Sequence, residues 1–221
     1  MPRLDLFQPV HKGLRLALAD LLLDMGRTDF HDARATRAIV ERLELVTAFC
    51  DDHKAAEDTV VLPALLARLS GPLPSITRAH ADQARHVEEL RATGKALLDA
   101  PESVRPLVGR TLYLHFSSFT GEVLSHMAEE EQVLSPLFER LFDEDEEKAI
   151  HAEVMAGLTM EQHARGAPFI LRALSRPERV RMVSGALATM PRAVVLGLVD
   201  VVSPTLPADD VTHLLSQTGL S

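Results

Sequence analysis

Two stretches of the chain carry residues with the spacing of ligands. One is HKAAEDTVVLPAL, residues 53–65, and the other is HMAEEEQVLSPLF, residues 126–138. Each opens on a histidine and has a glutamate four positions on, aliphatic residues at seven and eight, and a proline at ten. On a helix, residues four apart are neighbours, with Cβ atoms about 5–6 Å apart. His53 with Glu57, and His126 with Glu130, can therefore reach one ion in a helical interior, and bundle cores hold di-metal carboxylate sites built this way. Burial sharpens the point, because a carboxylate in an apolar interior is costly unless it is paired or bound to a cation. Helical periodicity gives His53 the neighbours Phe49, Ala56, Val60 and Ala64, and gives His126 the neighbours Phe119, Val123, Val133 and Leu137.

Each stretch is preceded by a further histidine in a helical pattern. His11 shares the face of Leu14, Leu18 and Leu22. His80 shares a face with Ile76 and Val87, made less clean by Gln83 and Ala84. The motifs lie 73 residues apart and the preceding histidines 69 apart, so the chain reads twice as a helix with His followed by a helix with His-x-x-x-Glu. Two hairpins related by a rough two-fold axis would gather His11, His53, Glu57, His80, His126 and Glu130 around one core. A single histidine on an apolar helix face is more often a hydrogen-bonded core residue; the repetition favours a metal site.

The elements that must position these residues are long helices with short connections. Apolar periodicity predicts a helix over 8–25 stopped by Gly26, and a second from a cap at Asp29 or Asp32 to about Leu69. After the SGPLPS break, a third runs from Ser75 or Thr77 to Leu98. A fourth runs from Glu102 or Ser103 to about Phe142. That is an all-α, up-down-up-down four-helix bundle over residues 1–142. Residues 143–221 read as a C-terminal helical extension packed on or beside it. The extension begins with a helix over about 146–165 that GAP (166–168) kinks or ends, followed by short helices broken at Pro191, Pro204 and Pro207.

Composition limits the function classes. The 221 residues are 46% hydrophobic, enough for a core without staples, and a formal charge of −9 opposes a nucleic-acid footprint. One cysteine, Cys50, rules out an internal disulfide and a thiolate-held cluster, and reads as a small core residue, with a redox role as the alternative. No signal-peptide pattern and no run of 18 apolar residues occur, so the expected setting is the cytoplasm, with no membrane partner.

Other titratable residues carry weaker readings. His86 competes with His80 for the third-helix position, and the two lie about 120° apart around the helix. Glu122, one turn before His126, is a partner for a ligating imidazole, a substitute ligand, or a partner for His115. Glu129 and Glu131 point sideways from Glu130 and read as solvated. His31, His151, His163 and His213 read as surface or loop residues, with His163 also able to cover the site.

The order His11, His53 with Glu57, His80, and His126 with Glu130, with LeuPro and SerPro trailing the two motifs, resembles the hemerythrin-like (HHE cation-binding) family over about residues 8–142. The resemblance implies a four-helix bundle around two iron ions, oxo- or hydroxo-bridged. The histidines would cap the irons, and Glu57 and Glu130 would bridge them. Oxygen-carrying members use five histidines and an aspartate in His-x₄-Asp spacing, which this sequence lacks. It looks more like bacterial members that handle O₂, peroxide or nitric oxide. Manganese or zinc would suit the same donors. The competing expectation is an iron or redox sensor or storage protein without turnover, with the extension as a route to a partner or to a homo-oligomer.

Overall fold

A computed structural model describes residues 5–220, which form helices joined by short turns, with no strand among them. The bundle comprises α1 (Gln8–Arg27), α2, α3 (Pro74–Asp99) and α4 (Arg105–Leu141). Helix α2 runs over Ala33–Ala56, passes through a π-helical turn, Glu57–Val61, and finishes as Leu62–Leu66. Each bundle helix packs on two others: α1 and α3 both lie against α2 and α4. Asp32 caps α2, its carboxylate accepting from the Arg34 and Ala35 N–H groups at 2.7 and 3.2 Å.

The π turn was not expected, and it moves the core. Leu62 N–H reaches back five residues to the Glu57 carbonyl. Pro63 follows at once; it has no N–H to give, and its ring crowds the carbonyl four residues earlier, which favours a wider turn just upstream. One extra residue in a turn displaces every later core position by one. Val61 and Leu65 are buried where 3.6-residue periodicity points to Val60 and Ala64, which are only partly covered. In α4 the buried positions near Pro136 also differ from that reading, here with no extra residue in the helix. Leu134 and Phe138 are buried and Val133 is 43% exposed, because successive four-residue steps turn toward the Phe7 and Phe142 rings.

Five further helices follow: α5 (Glu144–Gly157), α6 (Met160–Ala173), α7 (Arg176–Thr189), α8 (Arg192–Val202) and α9 (Ala208–Thr218). The break that sequence placed at 166–168 falls earlier, at Leu158. Thr159 caps α6 there, accepting from the Gln162 N–H at 3.3 Å while Gln162 Oε1 accepts from the Thr159 N–H at 2.8 Å. This capping box outcompetes Pro168, which sits inside α6. The last helices share a cluster of their own around Val183, Val195, Val199 and Leu214.

Helix α6 lies in the groove between α1 and α2. Arg165 and Gln162 both bind Asp52, at 2.5 and 2.8 Å, and Arg172 binds Asp20 at 3.0 Å. Phe169 stacks on Phe49 at 5.6 Å. Two glycines permit this approach: a Cβ on Gly13 would come within 3.0 Å of the Ile170 backbone, and one on Gly166 within 2.9 Å of the Phe49 ring. Gly13→Val should therefore destabilise by about 1–3 kcal/mol, as overpacking does. Gly185→Ala, with nothing within 4 Å of its Cβ, should be neutral or stabilise by up to about 1 kcal/mol. Urea unfolding of both variants measures the contrast.

Candidate metal centre

The six residues that the repeat singles out meet at one level of the bundle. His11 comes from α1, His53 and Glu57 from α2, His80 from α3, and His126 and Glu130 from α4. Glu57 opens the π turn, so its backbone sits at the one place where α2 widens. Glu57 and Glu130 are 3% and 0% exposed, and all four imidazoles are buried or nearly so. His11 and His53 meet edge to face with ring centroids 4.9 Å apart, and His80 and His126 do the same at 4.8 Å.

The carboxylates lie between these two imidazole pairs. Glu57 Oε1 is 3.2 Å from His53 Nε2 and 3.9 Å from His11 Nε2, while its Oε2 is 3.4 Å from His80 Nε2. Glu130 Oε2 is 3.5 Å from His11 Nε2, while its Oε1 is 3.4 Å from His80 Nε2 and 2.9 Å from His126 Nε2. Each carboxylate therefore turns one oxygen to each pair. Two four-residue groups result, His11–His53–Glu57–Glu130 and Glu57–His80–His126–Glu130, with ligand atoms within 4.8 Å of one another in each.

The donor set fits two cations. His11 and His53 oppose Nε2 to Nε2 at 3.1 Å. Two nitrogens bound to one ion at about 2.1 Å and at right angles lie about 3 Å apart. Glu57 Oε1, Glu130 Oε2 and His126 Nδ1 are buried with no well-aligned hydrogen bond, a combination that is costly unless another group satisfies them. The donors are nitrogen and oxygen only, since Cys50 lies in the apolar core and burial pushes its thiol up to about 12. Its burial is that of a small core residue.

The electrostatics are those of cations replaced by protons. Burial works against charge on His80, but Glu130, Glu57 and Asp58 overcome it and raise its pKa to about 10. Burial also opposes charge on His11, and Glu57, Glu130 and Glu131 outweigh it, so its pKa is raised. Burial dominates at His53 and lowers it. Burial would push both glutamates up, yet His53, His11 and His80 hold Glu57 well below the usual carboxylate range, and His126 and His80 lower Glu130.

Two of these partners were not anticipated. Glu131, expected in solvent, accepts from His11 Nδ1 at 2.9 Å and pairs with both terminal nitrogens of Arg15 at 2.7 and 3.1 Å. Asp58 accepts from His80 Nδ1 at 2.6 Å. The signal was present: an acidic residue follows the motif glutamate in both halves.

The remaining candidates fall elsewhere. His86 is not at the centre; its Nδ1 lies 2.7 Å from Glu122 and its ring meets His115, which is 3.4 Å from Glu89. Of the readings open for Glu122, neither of those involving the centre holds. It serves His86 because antiparallel α3 and α4 bring those two side chains to one height. His163 bonds the Met155 carbonyl at 3.2 Å and stays with the α5–α6 turn.

Among the described residues no helix is long and apolar enough to cross a membrane. No curated protein matches the chain. The hemerythrin HHE cation-binding domain matches residues 3–138, over half the length. The chain belongs to that family.

Proposed function

We propose that this is a non-haem di-iron protein that binds O₂, peroxide or nitric oxide between the two hairpins. His11 and His53 are terminal ligands of one iron, His80 and His126 of the other, and Glu57 and Glu130 bridge them. One observation carries the reading: each carboxylate offers one oxygen to each imidazole pair. Bound iron would supply the affinity for a small oxidant or for nitric oxide. The chain supplies the rest. Apolar walls exclude bulk water, the α1 and α3 histidines hold protons at Nδ1 against Glu131 and Asp58, and the two glutamates fix the spacing of the ions.

A second reading, an iron or redox sensor or store without turnover, is favoured by the seating of α6 on α1 and α2. Both helices carry ligands to the same ion, so its loading bears directly on the extension. Under either reading residues 1–142 are the cation-binding unit and residues 143–221 the extension.

Metal analysis of aerobically purified protein should give about two irons per chain. Glu57→Ala or Glu130→Ala should lose the pair, and Glu129→Ala should retain it. No iron, and no uptake of ferrous iron under anaerobic conditions, would rule the reading out. Loading should also release protons. His80 holds one at Nε2 in the metal-free protein because its pKa is raised to about 10, and ligation needs that nitrogen free. Calorimetry at pH 8 in buffers of different ionisation heat should detect release of at least about one proton per chain; His53, lowered already, should contribute none.

A further inference from the structure

The residue after each bridging glutamate does not act within its own hairpin. Asp58 follows Glu57 on α2, in the first hairpin, and accepts from His80 of the second at 2.6 Å. Glu131 follows Glu130 on α4, in the second hairpin, and accepts from His11 of the first at 2.9 Å. Both contacts are to Nδ1, and both leave Nε2 directed at the two core carboxylates. The glutamate of each motif thus points into the centre and the residue after it reaches across to the opposite hairpin.

We propose that Asp58 and Glu131 are positioning residues, each fixing the tautomer and ring orientation of one ligating histidine donated by the other hairpin, and so each governing the affinity of one ion. The proposal rests on the di-metal reading. A hydrogen bond from the non-ligating nitrogen to a carboxylate holds the imidazole with its lone pair at Nε2 and strengthens it as a donor. The two contacts differ in setting. Glu131 is anchored by the two-pronged Arg15 pair, whereas Asp58 is half-exposed and has no basic partner other than His80 among the described residues. His126, by contrast, has an Nδ1 with no hydrogen-bond partner, so within its pair the orientation is imposed on His80 alone. The two ions are therefore inequivalent, each leaning on one carboxylate-held imidazole supplied from across the bundle.

The test is equilibrium dialysis of the full chain against cobalt(II), with visible d–d spectra of each sample. Wild type should take up two ions. Asp58→Ala and Glu131→Ala should each retain one ion at wild-type affinity and weaken the other by about 10–100-fold. The double variant should weaken both. Asp58→Asn and Glu131→Gln, which keep an accepting oxygen, should recover most of the affinity and the wild-type band positions, whereas a loss of folding alone would not single out one ion. Thermal melting of the metal-free forms supplies the folding control. Two ions at wild-type affinity in either alanine variant, or one ion untouched in the double variant, would overturn the assignment while leaving the di-metal reading intact. A wild type that takes up no cobalt would overturn both.

Discussion

Two carboxylates in an apolar interior constrain everything around them. Glu57 and Glu130 lie inside the bundle, where an isolated negative charge is not tolerated without a compensating cation. Four imidazoles surround them, and the buried negative charge favours a proton on two of these: His11 and His80 are shifted upward and both glutamates downward. The geometry is more specific than charge balance requires. Each oxygen faces its own imidazole pair, yet Glu57 Oε1, Glu130 Oε2 and His126 Nδ1 make no well-aligned hydrogen bond. A buried polar network that served only to fix the fold would satisfy its own members.

The elements serve this arrangement in different ways. Short connections bring ligand helices together pairwise, and antiparallel packing of α3 on α4 sets His80 beside His126. The π turn puts Glu57 where the helix is widest and still lets Val61 and Leu65 reach the apolar cluster beneath it. The C-terminal helices reinforce one side. At Gly13 α6 comes almost backbone to backbone with the helix that carries His11, and Gly166 and the Asp52 contacts seat it on the Phe49 ring and side chains of the helix that carries His53.

The His/Glu cluster and the bundle were legible in the sequence because both are written as repeats. His-x-x-x-Glu occurs twice, and the apolar stripes of four helices recur at one period. The features that escaped are those that break the period or join distant residues. A π turn adds a residue to one turn, so the reading that named Val60 and Ala64 as core positions was one residue early. The break at Leu158 depends on a capping box that is stronger locally than the proline at 168. The pairings of Glu131 with His11, Asp58 with His80, and Glu122 with His86 cross between helices. Their sequence separations run from 22 to 120 residues, beyond anything periodicity reports, although the acidic residue repeated after each motif glutamate was visible.

The widened turn in α2 also makes that helix a register lock. Unwinding Glu57–Val61 into ordinary α geometry would rotate everything after it by about 100°, the angular step of one residue in an α-helix. Val61 and Leu65 would swing away from Phe7, Leu134 and Phe138, and Leu62 N–H would give up the Glu57 carbonyl. The turn is thus pinned from above by the carboxylate it presents and from below by the oil it dips into. Chemistry at one end and packing at the other hold the same five residues, so neither can slip without the other.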